Sequence, residues 1–321
     1  MKSIGICYSE QAIKVSNSHS RLDHHHRRNQ EEVFCSSSDS NLPPARPDST
    51  TNNYRVKLST GKEFLIKLTW RRSKTKQGVS VSISEYSPVF VPRGTESAIL
   101  LQRPRGIESL ELRGSRIEIC WDFSRAGYGA GPEPVNGFHV AILVDSEPGL
   151  ILGDVPPESE IGKRIPDTDS SEFELISRCH LFSGDDCYCS TTAKFCEGGK
   201  RHDILIELSG VDGDRRHGHG TTGTKDSMLS VYVDEKSVVQ VKRLVWNFRG
   251  NQTIFMDGLC VDLMWDLHDW FFGGGLLSSG YGVFLFRTRI GLGSRLWLEK
   301  NIEQDDDVGF SLLICVCKNR N

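Results

Sequence analysis

From Tyr54 onward the chain alternates apolar and polar residues with a period of two. That alternation puts every second side chain on one face and predicts half-buried β-strands. Tyr54–Ser59 and Glu63–Trp70 read as a hairpin around Thr60-Gly61, and Val79–Ile83 as a strand with one face solvated. Ser97–Leu101 follows, and Phe138–Val144 and Leu150–Leu152 are apolar strands. Arg249–Leu267 carries the clearest signal: a strand to Met256, an Asp257-Gly258 turn and a second strand through Trp265. Asp-Gly between two β-rich runs marks a hairpin, because a type I′ turn needs residues that accept positive φ. Phe173–Phe182, Tyr188–Phe195, Ile204–Leu208, Leu229–Val233, Val238–Phe248 and Tyr281–Arg287 continue the β pattern. Arg295-Leu296-Trp297 begins another strand, and Phe310–Cys317 is a last apolar strand suited to closing a sheet edge.

The hairpin has an echo. Setting Arg105-Gly106 on Arg249-Gly250, a shift of 144 residues, places Gly114 on Gly258, Ile117 on Val261 and Trp121-Asp122 on Trp265-Asp266 without a gap. With small gaps, Phe64–Leu68 resembles Ile204–Leu208, and Gly137–Leu143 resembles Gly280–Phe286. The expectation is an all-β chain of two related antiparallel β-sandwich-like units in tandem, or two halves of one pseudo-symmetric β body. Each unit would hold roughly a hundred residues, an ordinary domain size. The boundaries follow composition: a disordered tail at 1–53, a first β unit at 54–154, a Pro-, Asp- and Ser-rich linker at 155–171 and a second β unit at 172–321. Gly114, Trp121, Asp122, Gly258, Trp265 and Asp266 are common to both copies and read as structural corners.

Composition narrows the function classes. At 321 residues the chain can build a sizeable core, and a hydrophobic content of 37% fits a folded body diluted by disordered stretches. A net charge of −3 argues against coating nucleic acid. No apolar run reaches the ~20 residues that cross a bilayer, and the N-terminal stretch lacks the pattern of a secretory signal. A cytosolic location, with access to the nucleus, is expected. The ten cysteines then read as thiols, many of them packed as small apolar residues. Cys187, Cys189, Cys196 and His202 offer zinc ligands but lack the paired spacing of a structural site, so packed thiols are the better reading. His217-x-His219 and His24-His25-His26 are weak metal signals for the same reason. No cofactor is expected.

Two places carry candidate surface chemistry. Arg71, Arg72, Lys74 and Lys76 form a basic loop that would grip phosphate or an acidic partner, or simply guard a hairpin tip against edge pairing. Asp266-Leu267-His268-Asp269-Trp270-Phe271-Phe272 sets a His between two Asp, the material of general acid–base work. The spacing of Leu267, Trp270 and Phe271 equally suits one helical turn with its aromatics inward, Asp266 capping nearby amides and His268 at the polar rim. The first copy has Ser124-Arg125 in place of His268-Asp269, which favours the structural reading. Tyr128, amid the glycines of 127–131, is a further ligand candidate.

Trp121-Asp122-Phe123-Ser124, Gly131-Pro132-Glu133-Pro134, Gly137-Phe138-His139-Val140-Ala141 and Lys242–Asn251 together resemble a plant-specific family known only as a domain of unknown function. Ala193-Lys194-Phe195, Gly199-Lys200, His202-Asp203-Ile204 and Trp265–Trp270 resemble it as well. The resemblance spans about Tyr54 to Trp297 and implies a plant source, with no activity, cofactor or catalytic residue attached. The leading expectation is therefore a non-catalytic binding or scaffold module that presents loops to a protein partner. Glycan or small-ligand recognition at aromatic rims comes second, and an enzyme centred on His268 with Asp266 and Asp269 third.

Overall fold

The structure is a computed structural model that describes residues 43–72, 77–86, 97–159, 161–164, 172–184, 187–196, 198–210, 227–273, 280–289 and 309–318. It is mostly β, and α1 (His268–Phe272) is a single short helix. In chain order the strands are β1 (Ser49–Lys57), β2 (Glu63–Arg72), β3 (Gln77–Glu85), β4 (Ser97–Leu101), β5 (Arg105–Leu112), β6 (Ser115–Asp122), β7 (Gly127–Tyr128), β8 (Pro134–Asn136), β9 (His139–Val144) and β10 (Glu147–Gly153). There follow β11 (Glu172–Ser183), β12 (Tyr188–Ala193), β13 (His202–Ser209), β14 (Met228–Val233), β15 (Lys236–Lys242), β16 (Arg249–Met256), β17 (Leu259–Asp266), β18 (Tyr281–Thr288) and β19 (Ser311–Cys317).

A nine-stranded sheet runs in the order β16-β17-β18-β19-β11-β1-β2-β3-β4. Two four-stranded sheets, β10-β9-β6-β5 and β12-β13-β14-β15, complete the body with the short β7-β8 pair. β11 joins the two halves of the long sheet: it pairs antiparallel with β1 and parallel with β19. Phe310–Cys317, expected at a sheet edge, thus lies between β18 and β11, where both rows of its backbone hydrogen bonds are used.

Residues paired across a ladder point to the same side. Phe182 pairs with Val316, His180 with Thr50, and Thr50 with Trp70, so the inward side chains of β19, β11, β1 and β2 share one face. Two apolar clusters lie on that face. One joins Val56, Ile66, Leu68 and Val81 to Ile117, Ile119, Trp121 and Ile142 of the β10-β9-β6-β5 sheet. The other joins Leu263, Phe284, Phe286 and Ile314 to Ile204, Ile206 and Val231 of the β12-β13-β14-β15 sheet. The opposite face of the first four-stranded sheet also receives cover, from Val155 and Ile161 against Cys120, Ala141 and Leu143. The segment expected to be a bare linker is thus partly packed.

The turns behave as their sequence demands. Asp257 and Gly258 have φ of 50° and 79°, the two positive values of a type I′ turn, and Arg113 and Gly114 have 49° and 81°. Residues 1–42 of the expected tail lie outside the described residues. Ser49–Asn53, whose polar composition suggested tail, form the first half of β1. Their side chains find partners across the ladder: Thr50 Oγ1 meets His180 Nδ1 at 2.8 Å, and Asn53 Nδ2 donates to Ser177 Oγ at 2.8 Å. Val238–Phe248 also differs from expectation. β15 stops at Lys242, and Arg243, at φ 53°, starts a turn that carries the chain to β16.

Candidate functional site

Each strand that ends in Trp-Asp turns a corner, and the two corners can be compared atom by atom. At the first, Trp121 Nε1 donates to Arg103 O at 2.9 Å and Phe123 N to Pro104 O at 2.6 Å. At the second, Trp265 Nε1 donates to Asn247 O at 3.0 Å and Leu267 N to Phe248 O at 2.8 Å. Asp122 Oδ1 accepts from Ser124 N at 2.7 Å, and Asp266 Oδ1 from His268 N at 3.0 Å. Every residue in one set stands 144 positions from its counterpart in the other. Each carboxylate ties off an amide just past its strand, a local cap that lets the chain leave the ladder without an unpaired donor.

The surfaces on these frames differ. Gln102 and Pro104 are exposed at the first corner, and the matching positions at the second hold Trp246, 81% exposed, and Phe248. The Phe248 ring lies 5.6 Å from the His268 ring and 5.5 Å from Phe272, which is 52% exposed. The Arg249 guanidinium stacks 5.6 Å over Phe248 while its Nε donates to Asp266 Oδ2 at 2.9 Å. His268 Nδ1 lies 2.7 Å from Asp269 Oδ1, and Asp269 also holds the Tyr281 hydroxyl. Those two hydrogen bonds keep the Asp269 carboxyl below its usual range, and the hydrogen bond to Asp269, then its negative charge, raise the Tyr281 phenol. The result is an exposed aromatic patch laced with paired charges.

Leu267 and Trp270 turn inward from this corner. Trp270, a candidate partner-surface residue that the helical spacing also allowed to point inward, is 3% exposed: Leu267 and the aromatic core bury it, and Lys318 Nζ sits 4.6 Å over its ring. Arg71 and Arg72 are exposed at the end of β2, where Arg72 Nη1 donates to Gly129 O and Ala130 O at 3.2 and 3.4 Å. Arg72 therefore meets the glycine loop that holds half-buried Tyr128. Lys74, Lys76, Trp297, His217, His219 and the His24–His26 run lie outside the described residues.

His202 is spoken for. Its Nδ1 lies 2.7 Å from Asp234 Oδ2 and its Nε2 3.0 Å from Asp257 Oδ2, so neither ring nitrogen is open to an ion. Burial alone would lower this imidazole, but the hydrogen bonds to Asp234 and then Asp257 outweigh it and leave the pKa raised. The ring pins the β14–β15 turn to the β16–β17 turn. Among the described residues, no group of three or more His, Cys, Asp or Glu side chains is placed to hold a metal. No described helix is long and apolar enough to cross a membrane.

The family described as plant protein of unknown function (DUF868) matches residues 45–318. The chain belongs to that family. No curated protein matches it. The DUF868 match takes in both Trp-Asp corners, the glycine loop and every described strand. The sequence points to His268 and Asp269 but not to the neighbouring Trp246, Phe248, Arg249 and Tyr281 of this DUF868 chain. A signal was present: the 144-residue shift sets Trp246 against Gln102, and a position that changes from polar to aromatic inside a repeated frame is where surface function shows.

Proposed function

We propose that this is a non-catalytic binding module of two related β-sandwich-like units, and that the corner around Trp265 is its contact surface for a protein partner. The observation that carries the reading is the contrast between the corners. One frame folds with Gln102, so folding does not require the exposed Trp246 at the matching position. Large exposed aromatics beside an arginine are the residues that supply most of the energy of protein interfaces. The tandem reading is supported by strand order: β5-β6-β9-β10 parallels β16-β17-β18-β19, and β1-β2-β3-β4 parallels β12-β13-β14-β15. A non-catalytic role fits a duplicated frame that lacks a duplicated polar set, since Ser124-Arg125 faces the place of His268-Asp269. A cytosolic setting with nuclear access belongs to the proposal, supported by eight described cysteines that are all free thiols.

The test is capture from plant extract with the natural chain and with a Trp246→Ala/Phe272→Ala chain. A protein recovered by the first and lost by the second, at equal thermal stability, supports the assignment. Equal recovery by both removes the corner, and no partner above background removes the protein-binding reading. Glycan recognition is the second reading, favoured by the exposure of Trp246. A featureless glycan array would end it.

A further inference from the structure

The inward face of the nine-stranded sheet is apolar on both sides of its middle: Leu68 and Trp70 on β2, Ile314 and Val316 on β19. Between them it turns polar. β1 presents Thr50, Asn52 and Tyr54, and β11 presents Arg178 and His180, with Thr50 paired to His180 and Asn52 to Arg178. This seam lies between the two apolar clusters. Burial, and then the Arg178 charge, push His180 down to about 3, so its imidazole is neutral. Glu133 reaches the seam from the loop between β7 and β8. Its Oε1 accepts from Asn52 Nδ2 at 2.6 Å, and its Oε2 pairs with Arg178 Nη2.

Stability does not call for such a set, because apolar side chains on a buried face commonly serve as well as or better than an ion pair. The seam is also incompletely satisfied. Among the described residues four buried side-chain polar atoms have no hydrogen-bond partner, and three of them are here: Asn52 Oδ1, Arg178 Nε and His180 Nε2. Buried orphans are rare enough that three in one seam ask for an explanation.

We propose that the seam between β1 and β11 is a binding site for a small-molecule carboxylate, and that Glu133 occupies the place of the ligand's carboxylate. The donors and the occupant differ in origin. Asn52 and Arg178 stand on paired central strands, whereas Glu133 rides on a loop containing Gly129 and Gly131. The seat opens outward at Glu133 and Arg178, whose side chains keep 24% and 21% of their exposure, over a floor of His180 and Asn52 at 2% and 4%. Burial lowers the Arg178 pKa, and the charge of Arg201 lowers it further, so the seat already carries positive charge at Arg178 with a second guanidinium acting on it. A planar carboxylate suits the guanidinium, which pairs with it through two parallel N–H donors. Asn52 Oδ1 and His180 Nε2 remain for polar groups elsewhere on the ligand. The aromatic corner plays no part in this site, so the two proposals stand or fall separately.

The test uses the full chain and sodium acetate as probe, with sodium chloride and sodium phosphate at matched ionic strength as controls, read as thermal midpoint. In Glu133→Ala, acetate should raise the midpoint saturably, beyond chloride and phosphate, and adding Arg178→Gln should abolish the response. The natural chain should respond to acetate only at concentrations at least about tenfold higher, because the ligand must displace Glu133. If Glu133→Ala does not fold alone, its refolding in sodium acetate against sodium chloride and sodium phosphate is read in the same way. Absence of an acetate-selective rise in the variant overturns the proposal. So does an equal response to phosphate, or a natural chain indifferent to acetate, which would mark Glu133 as a permanent internal partner.

Discussion

A Cβ added to Gly250 would stand 2.2 Å from Cζ2 of Trp265. The indole of Trp265 lies flat over that glycine and donates to Asn247 O, so it cannot retreat without losing its hydrogen bond. At the first corner, a Cβ on Gly106 would stand 2.7 Å from Cζ2 of Trp121. Gly250→Ala should therefore overpack the corner and destabilise the chain by about 1–3 kcal/mol, the usual range for forcing a methyl into a filled site. Gly106→Ala should do the same with the smaller effect. Urea denaturation of both variants checks this, and a neutral Gly250→Ala would show that the indole has room to move.

Trp246→Gln should leave stability within about 0.5 kcal/mol of the natural chain, as expected for a surface change away from caps and core. The first corner already folds with Gln102 at the matching position. A large loss measured in the same urea titration would mean that Trp246 packs against the fold, and its claim to a partner would weaken.

His202 makes stability depend on pH in a definite direction. Its folded pKa is raised above 6.5, so its contribution is full below that value and fades as pH rises through the folded pKa. Asp234 and Asp257 are held below 3.8, chiefly by hydrogen bonds to His202, so their contribution is full above that value and is lost as pH falls through their folded pKa values. The thermal midpoint gap between the natural chain and His202→Gln should be widest between pH 4 and pH 6.5 and should narrow on either side. A gap that stays constant across pH 4 to 9 would rule out a charged clamp.

Among four cysteines the reactivities should separate. Cys179 on β11 takes a hydrogen bond from Cys315 on β19, which lowers its thiol pKa despite burial. Cys315 is raised in turn, burial raises Cys317, and burial together with Glu118 pushes Cys120 up to about 12. The thiolate is the nucleophile, so brief iodoacetamide treatment near neutral pH should label Cys179 ahead of these three. Peptide mass spectrometry reads the order, and earlier labelling of Cys120 or Cys317 would contradict it.

What could be read in advance was local. Asp257-Gly258 names its own turn, the spacing of Leu267, Trp270 and Phe271 names a helical turn, and Asp266 names a cap. Each signal involves residues within a few positions of one another. The place of β11 had no such signature. Its partners β1 and β19 lie more than a hundred residues away on either side, and nothing in Phe173–Phe182 says that it will run parallel to the last strand. Ser49–Asn53 was hidden for a related reason. Thr50 and Asn52 are polar residues that belong inside because His180 and Glu133 come to meet them, and a polar strand read alone looks like loop. Trp246 reads as strand in the sequence because an aromatic in an apolar run is more often core than surface.

The parallel ladder between β11 and β19 sets a schedule for synthesis. Leu312, Ile314 and Val316 belong to the second apolar cluster, so that cluster stays open to water until residues 311–317 have left the ribosome. The first half can bury most of its own apolar surface long before, while β11 waits with one unpaired edge. A nascent chain of this topology closes late and across a long loop, the situation in which folding is slow and an open edge is vulnerable to capture by other chains.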